Sequence, residues 1–277
     1  MSFTTDPFDK LTEDLGQTFR PQREWIDKRG LMLISGHFFS GVGAGACLLS
    51  LFLGFQPGLF ISILFVALAG LAHLAFLGNM MRFWRMIARP QSSWISRGLI
   101  AMSLFLLSSI LYVAPLYISG LPWSTDSIAG RVLLVLSLVG TAGILAYKGF
   151  VYAVVKALPF WNTPLLPALY IAYALRGGAA ALIIAIPFVN GQFPAERLEL
   201  FKLWVVISSG VLILFYLAVM KGAGIAARKS VNDLIAGRIS LAFYIGTVLM
   251  GLVIPVLLGG LGYFTQLTDS LMVLVGI

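Results

Sequence analysis

Seven nearly unbroken apolar stretches alternate with short polar connections along this chain, at roughly 31–53, 58–80, 97–120, 129–150, 164–188, 200–221 and 238–259. Each is long enough to cross a bilayer core, which takes about 20 helical residues. None shows the strict alternation of a half-buried strand, so the pattern predicts an all-α, polytopic transmembrane helix bundle. A further stretch, 263–277, contains Leu271-Met272-Val273-Leu274-Val275 and is too short for a full span. It predicts a short or truncated eighth helix. Residues 1–30 are polar and mixed in charge, and lack the apolar run and small-residue cleavage site of a signal peptide. Within them Thr5-Asp6-Pro7 reads as a helix start, and Phe8, Leu11, Leu15 and Phe19 recur at helical spacing. The sequence thus divides into an N-terminal segment (1–30) with a short amphipathic helix and a transmembrane bundle (31–277).

Composition agrees with this pattern. The 277 residues are 59% hydrophobic and 11% charged, with a mean hydropathy of +0.95; soluble domains carry about 25% charged residues. The net charge of +8 implies no nucleic-acid partner, because the basic residues gather at span ends, where topology accounts for them. The N-terminal segment and the connections after the second, fourth and sixth spans carry 15 Lys and Arg; the opposite connections carry Arg131, Arg197 and Lys202. This bias predicts a cytoplasmic N-terminus. The remaining cation, Arg176, falls at the centre of the fifth span, where charge by default faces the bundle interior. No Asp or Glu lies within any of the seven stretches, so carbonyls, Tyr, Ser, water or a ligand must meet it, in a structural or a functional role.

The connection after the second span concentrates positive charge and indoles: Arg82, Trp84, Arg85, Arg89, Trp94 and Arg97, with no acidic residue between Arg29 and Thr125. Tryptophan favours the headgroup level, so this loop belongs at a membrane surface, membrane lipid on its flanks. The first span holds Gly36, Ser40, Gly41, Gly43, Ala44 and Gly45; the Gly41/Gly45 pair allows close helix approach or lets a cofactor lie against it. The single cysteine, Cys47, reads as a packing residue and excludes an iron–sulfur cluster held by this protein alone, which needs about four thiolates. Proline and aromatics recur after the second and fourth spans, a faint sign of two related hairpins.

Two histidines are candidates for chemistry. His37 and His73 lie on antiparallel spans, each about 10 Å below the basic surface at a rise of about 1.5 Å per residue. They can ligate one haem, serve a quinone and relay protons, or pack against backbone carbonyls. Tyr147 and Asn79 fall near the same surface, so a phenol, imidazoles, an amide and Arg82 share one depth. That set suits a ring with two carbonyl oxygens, which needs a donor at each and a proton source. No Walker loop, HExxH, GxSxG or cysteine-rich cluster occurs, so no catalytic residue or metal site is assigned.

The segment Asn79…Arg82-Phe83-Trp84-Arg85…Pro90-Gln91-Ser92-Ser93-Trp94-Ile95-Ser96-Arg97 resembles the helix two to three loop of the polysulfide reductase membrane-subunit family (NrfD/PsrC). Tyr147-Lys148-Gly149 with Pro159-Phe160-Trp161-Asn162-Thr163-Pro164-Leu165-Leu166-Pro167 resembles its helix four to five connection, and Gly36–Gly45 its first helix. The resemblance implies an eight-helix bundle without haem or iron–sulfur cluster, in the cytoplasmic membrane of a bacterium or archaeon. It implies a quinone-reactive anchor, for menaquinone or ubiquinone, in complex with a four-cluster iron–sulfur subunit and a molybdopterin catalytic subunit. His37 and Tyr147 match the family's quinone-site histidine and tyrosine; Asn79 and Arg82 are expected beside them. His73 and Arg176 are candidates for proton transfer, and Arg85, Trp94 and Arg97 for docking the partner. Arg176 departs from the family pattern. Two rivals stand beside this reading: a single-haem cytochrome b-type anchor using His37 and His73, and a secondary transporter using Arg176.

Overall fold

The computed structural model describes Trp25 and residues 27–188 and 195–265 of the protein. The predicted amphipathic helix around Phe8–Phe19 and most of the predicted eighth helix lie outside the described residues. Within them every regular element is helical: α1 (Gly30–Leu53), α2 (Pro57–Phe76), α3 (Trp94–Val113), α4 (Ile128–Ala153), α5 (Leu165–Ala185), α6 (Ala195–Gly222), the short α7 (Ile225–Ile235) and α8, which opens at Ser240 and ends at Thr265. All but α7 are long and apolar enough to cross a membrane. The expected seven-span bundle is what forms. Local chemistry sets the ends. Gly54 closes α1 in the left-handed region at φ 68°, and Pro57 starts α2 without needing an N–H. The hydroxyls of Ser93 and Ser127 accept from the N–H groups of Ser96 and Gly130, capping α3 and α4.

Helix α1 is the centre of the bundle. Its apolar window is 67% buried, whereas that of α8 is not buried at all. Small residues permit this position. A Cβ on Gly45 would stand 1.9 Å from the Ala174 carbonyl oxygen of α5, and one on Gly178 would stand 2.3 Å from the Ala46 nitrogen. The two backbones therefore cross in contact, as small-xxx-small helices do in lipid. The glycine stripe is thus filled by neighbouring helices. Polar residues tie further pairs: Ser109 on α3 bonds Ser137 on α4 at 2.6 Å, and the Thr141 hydroxyl lies 3.4 Å from the sulfur of Cys47, the buried packing residue expected.

Helix α8 departs from α-geometry. It is π-helical over Phe243–Val253 before returning to α-helix at Ile254. Pro255 supplies the cause: it has no N–H for the carbonyl four residues back, which is that of Gly251, and its ring would press on that carbonyl. A widened turn opens the contact. The freed carbonyl accepts the Arg176 Nη1 donor at 2.8 Å, while the guanidinium sits over Tyr173, 5.4 Å from the ring centroid. Arg176 thus faces the bundle interior, as expected, and latches α5 to α8. Replacing Arg176 by Met is expected to destabilise the protein by about 1.5–3 kcal/mol, the range for a hydrogen bond to a charged group. In a Pro255→Ala background the loss should shrink, because alanine at that position brings its own N–H. Strict additivity of the two changes in thermal melts would refute the latch.

Two expectations are corrected. Helix α6 starts at Ala195, before the boundary of 200 read from hydropathy, and so draws Glu199 into the span. Lys202, 2% exposed, bonds it at 2.9 Å, and this pairing lets an acid enter an otherwise apolar helix. Lys148, counted with the surface cations after the fourth span, is instead buried inside α4 at 4% exposed. One cation leaves the count on each side, so the charge bias keeps its sign.

Candidate functional site

The residues singled out by depth meet where α1, α2 and α4 approach the basic surface. His37 is the hub. Its imidazole lies 5.2 Å from that of His73, 5.4 Å from the stacked ring of Tyr147 and 5.1 Å from Tyr152, centroid to centroid. Glycines again make the room. A Cβ on Gly36 would fall 2.5 Å from the His73 ring, and one on Gly98 would fall 2.4 Å from the ring of Tyr147. Each ring therefore rests on bare backbone of a neighbouring helix, which fixes its plane. His37 and Tyr147 are 5% and 4% exposed.

Two nitrogens in this cluster are orphans. His73 Nδ1 lies 2.7 Å from the Ala69 carbonyl, which can only accept, so Nδ1 carries a proton. Its Nε2 is then a lone-pair acceptor in the neutral ring, and it has no partner among the described residues; neither has His37 Nδ1. Buried polar atoms are almost always paired, and an unpaired one calls for a reason. A ligand oxygen or water is the direct one. Beside His73 and Tyr147 is a crevice of about 40 Å³, lined also by Leu99, Met102, Phe83 and Met86; His37 does not line it. That is space for a few waters, not for a ring. Phe83 and Met86 stand on a 3-10 helix, Met80–Ala88, that contributes no buried residue. Admitting a ring would require this helix to shift, breaking the bond that buried Ser96 of α3 donates to the Met86 carbonyl.

Sequence reasoning missed the second half of the cluster. Tyr152 stacks on Tyr170 at 5.6 Å and meets Trp161 edge-on at 5.1 Å; Trp25 touches both Tyr152 and Trp161. The signal is present in Tyr147 and Tyr152 on α4 and in the Tyr170, Tyr173, Arg176 stripe at every third residue of α5. The Trp161 loop is held by Asn162, which donates to the Ala153 carbonyl at 2.6 Å, and by Tyr216, which donates to that of Phe160.

Other expected members stand apart. Asn79 and Arg82 are exposed on the flank of the 3-10 helix and do not line the crevice; their neighbours Phe83 and Met86 do. Arg97 is engaged within its loop, donating to the carbonyls of Pro90 at 2.8 Å and Gln91 at 2.7 Å, and it covers Trp94 at 4.5 Å. Trp94 stacks in turn on Phe150 at 4.7 Å. These two residues shape the loop. Arg85 lies over the exposed Trp84 at 5.4 Å, and Arg82, Arg85 and Arg89 are exposed without an ion pair among the described residues. Arg176, committed to Gly251, is outside the cluster. No group of three or more His, Cys, Asp or Glu that could hold a metal occurs among the described residues.

Comparison with known proteins gives this arrangement relatives. The sequence is 30% identical over 120 residues to Protein NrfD of Escherichia coli, covering 41% of this protein and 37% of that one. It is 21% identical over 213 residues to the Protein NrfD homolog of Haemophilus influenzae, covering 69% and 66%. It is 27% identical over 134 residues to the C subunit of polysulfide reductase from Wolinella succinogenes, covering 46% and 42%. None of these three matches spans two thirds of the relative. The profile of a family described as Polysulphide reductase, NrfD, matches residues 29–277. With all but its first 28 residues matched, this chain belongs to the polysulphide reductase NrfD family.

Proposed function

We propose that this protein is the quinone-reactive membrane anchor of a multi-subunit oxidoreductase, passing electrons between the quinone pool and an iron–sulfur partner. The observation that carries the reading is a pair of buried imidazole nitrogens without a partner among the described residues, His37 Nδ1 and His73 Nε2, on rings that pack against each other and, for His37, on Tyr147. A bound menaquinone or ubiquinone supplies a two-electron, two-proton carrier with two carbonyl oxygens. His37 and the Tyr147 phenol bind and orient one end; His73, its Nδ1 fixed on Ala69, holds a proton acceptor at the crevice. The apolar lining shields the ring from bulk water. A relative named as one subunit of polysulfide reductase makes an anchor role natural here, with a four-cluster iron–sulfur subunit and a molybdopterin subunit as partners.

The histidine geometry favours this reading over a haem. Two axial imidazoles reach a haem iron through their nitrogens from opposite sides of the macrocycle, which must lie between the rings. His37 and His73 are in direct edge contact, centroids 5.2 Å apart, which leaves no space for a macrocycle between them; His37 also stacks on Tyr147 and His73 is seated on Gly36. Arg176, bonded to a backbone carbonyl, is likewise poorly placed as a transporter's anion site. Purification of the intact complex should bring down an iron–sulfur protein, with no b-type Soret contribution from this subunit. A reduced-minus-oxidised haem spectrum lost on His37→Ala would reverse the conclusion.

The exposed Arg82, Arg85 and Arg89 beside the cluster offer the docking surface, since electron transfer needs the partner's nearest cluster close to the ring. We place this face, and the N-terminus, in the cytoplasm of a bacterial or archaeal cell, from the distribution of Lys and Arg. Reporter fusions at residue 90 should read cytoplasmic and at residue 125 periplasmic; the opposite pattern would invert the topology.

A further inference from the structure

One buried ionisable group has no part in the chemistry so far: Lys148. It follows Tyr147 on α4, is 4% exposed, and forms no ion pair among the described residues. Its position is shaped. A Cβ on Gly41 of α1 would fall 1.8 Å from Nζ, so the amine occupies the space where any other residue would carry a side chain. Gly41 is one helical turn after His37, on the same face of α1. From α5, Tyr170 presents its ring 5.6 Å from Nζ, and Tyr170 stacks in turn on Tyr152, which touches His37. The groups facing Lys148 from α1, α4 and α5 are thus an imidazole, phenols and a glycine, with no carboxylate among the described residues.

A cation desolvated without a counter-charge is costly, and ionisable residues kept inside a membrane bundle mark the paths of ligands and ions. We propose that Lys148 is the counter-charge of the ring site, selecting ligands that carry an ionised ring oxygen over their neutral counterparts. The inference rests on the proposed quinone function and adds a charge preference to it. Electrostatic stabilisation by a group fixed in a water-poor site is strong because nothing must reorganise when the charge arrives. Gly41 is the enabling residue: it lets the amine lie against α1 beneath His37 rather than snorkel to the surface, as lysine otherwise does.

The test is a binding measurement on the purified full-length protein in lipid nanodiscs at pH 7, followed by quenching of tryptophan fluorescence. The probes are 2-hydroxy-1,4-naphthoquinone, which is an anion at this pH, and its neutral 2-methoxy ether. The wild type should bind the anion about tenfold or more tightly than the ether. Lys148→Met should remove that preference by weakening the anion alone, and Lys148→Arg should keep most of it. Gly41→Ala keeps the lysine but displaces its amine, so the preference should fall there too; this variant decides the matter if Lys148→Met does not fold. An anion preference unchanged in Lys148→Met or Gly41→Ala overturns the proposal. If both probes bind and both weaken in His37→Ala, but without any preference tied to Lys148, the ring site stands and only the counter-charge fails. If neither probe binds, or His37→Ala leaves both unaffected, the quinone reading falls with it.

Discussion

Replacing His37 by alanine is expected to lower quinol-linked turnover of the complex by about a hundredfold or more, the usual contribution of a positioned acid–base group. Electron transfer from an artificial dye to the partner's clusters should persist. His37 is the hub through which the other rings touch, and its Nδ1 has no partner among the described residues, so the change removes a ligand contact together with three ring contacts. Tyr147→Phe should cost less, about ten- to a hundredfold, because it deletes one hydrogen-bonding hydroxyl and keeps the stacked ring. Gly98→Ala offers an independent route to the same end. Its methyl would meet the Tyr147 ring at 2.4 Å and displace the phenol without touching its chemistry. Quinol kinetics unchanged in all three variants would remove the site from this face of the bundle. Loss of the dye reaction in any of them would report failed assembly instead.

Hydropathy makes the bundle legible, because seven spans of low charge admit few other folds in lipid. It does not fix their ends. Apolar Leu77, Met80 and Met81 extend the second span to residue 80 on hydropathy, but the α-helix stops at Phe76 and the backbone turns into the 3-10 helix. The third span is expected from Arg97; Ser93 caps it earlier, so Arg97 belongs to the helix and reaches back to brace the loop. Depth alone brings His37, His73 and Tyr147 together, because imidazoles on antiparallel helices must share a level if both start from one surface. It does not distinguish residues facing inward from those facing out at that level. Asn79 and Arg82 share the depth but not the direction, whereas Lys148 shares both and looks in the sequence like a loop cation. Direction around a helix needs the crossing points, and those are set by which glycine meets which backbone.

Those crossings carry the last expectation. Gly45→Ala and Gly178→Ala should each prevent the protein from being recovered as a monodisperse species in detergent, or lower its melting temperature sharply. The added methyl would stand 1.9 Å from the Ala174 oxygen in the first case and 2.3 Å from the Ala46 nitrogen in the second. Overpacked cores typically lose about 1–3 kcal/mol when side chains can move aside. Here the obstacle is backbone on both sides, so relief requires α1 and α5 to separate, and α1 is the helix around which the bundle is built. Total stabilities of about 5–15 kcal/mol leave little margin for that. Gly70→Ala on α2 is the internal control, because its Cβ would meet nothing within 4 Å. It should be neutral or stabilising, by up to about 1 kcal/mol on helix propensity. One substitution type is thus expected to act with opposite sign at two places in the same membrane bundle. Equal melting temperatures for Gly45→Ala and Gly70→Ala would show that the α1–α5 crossing is looser than described, and with it the seat of Lys148 beneath His37.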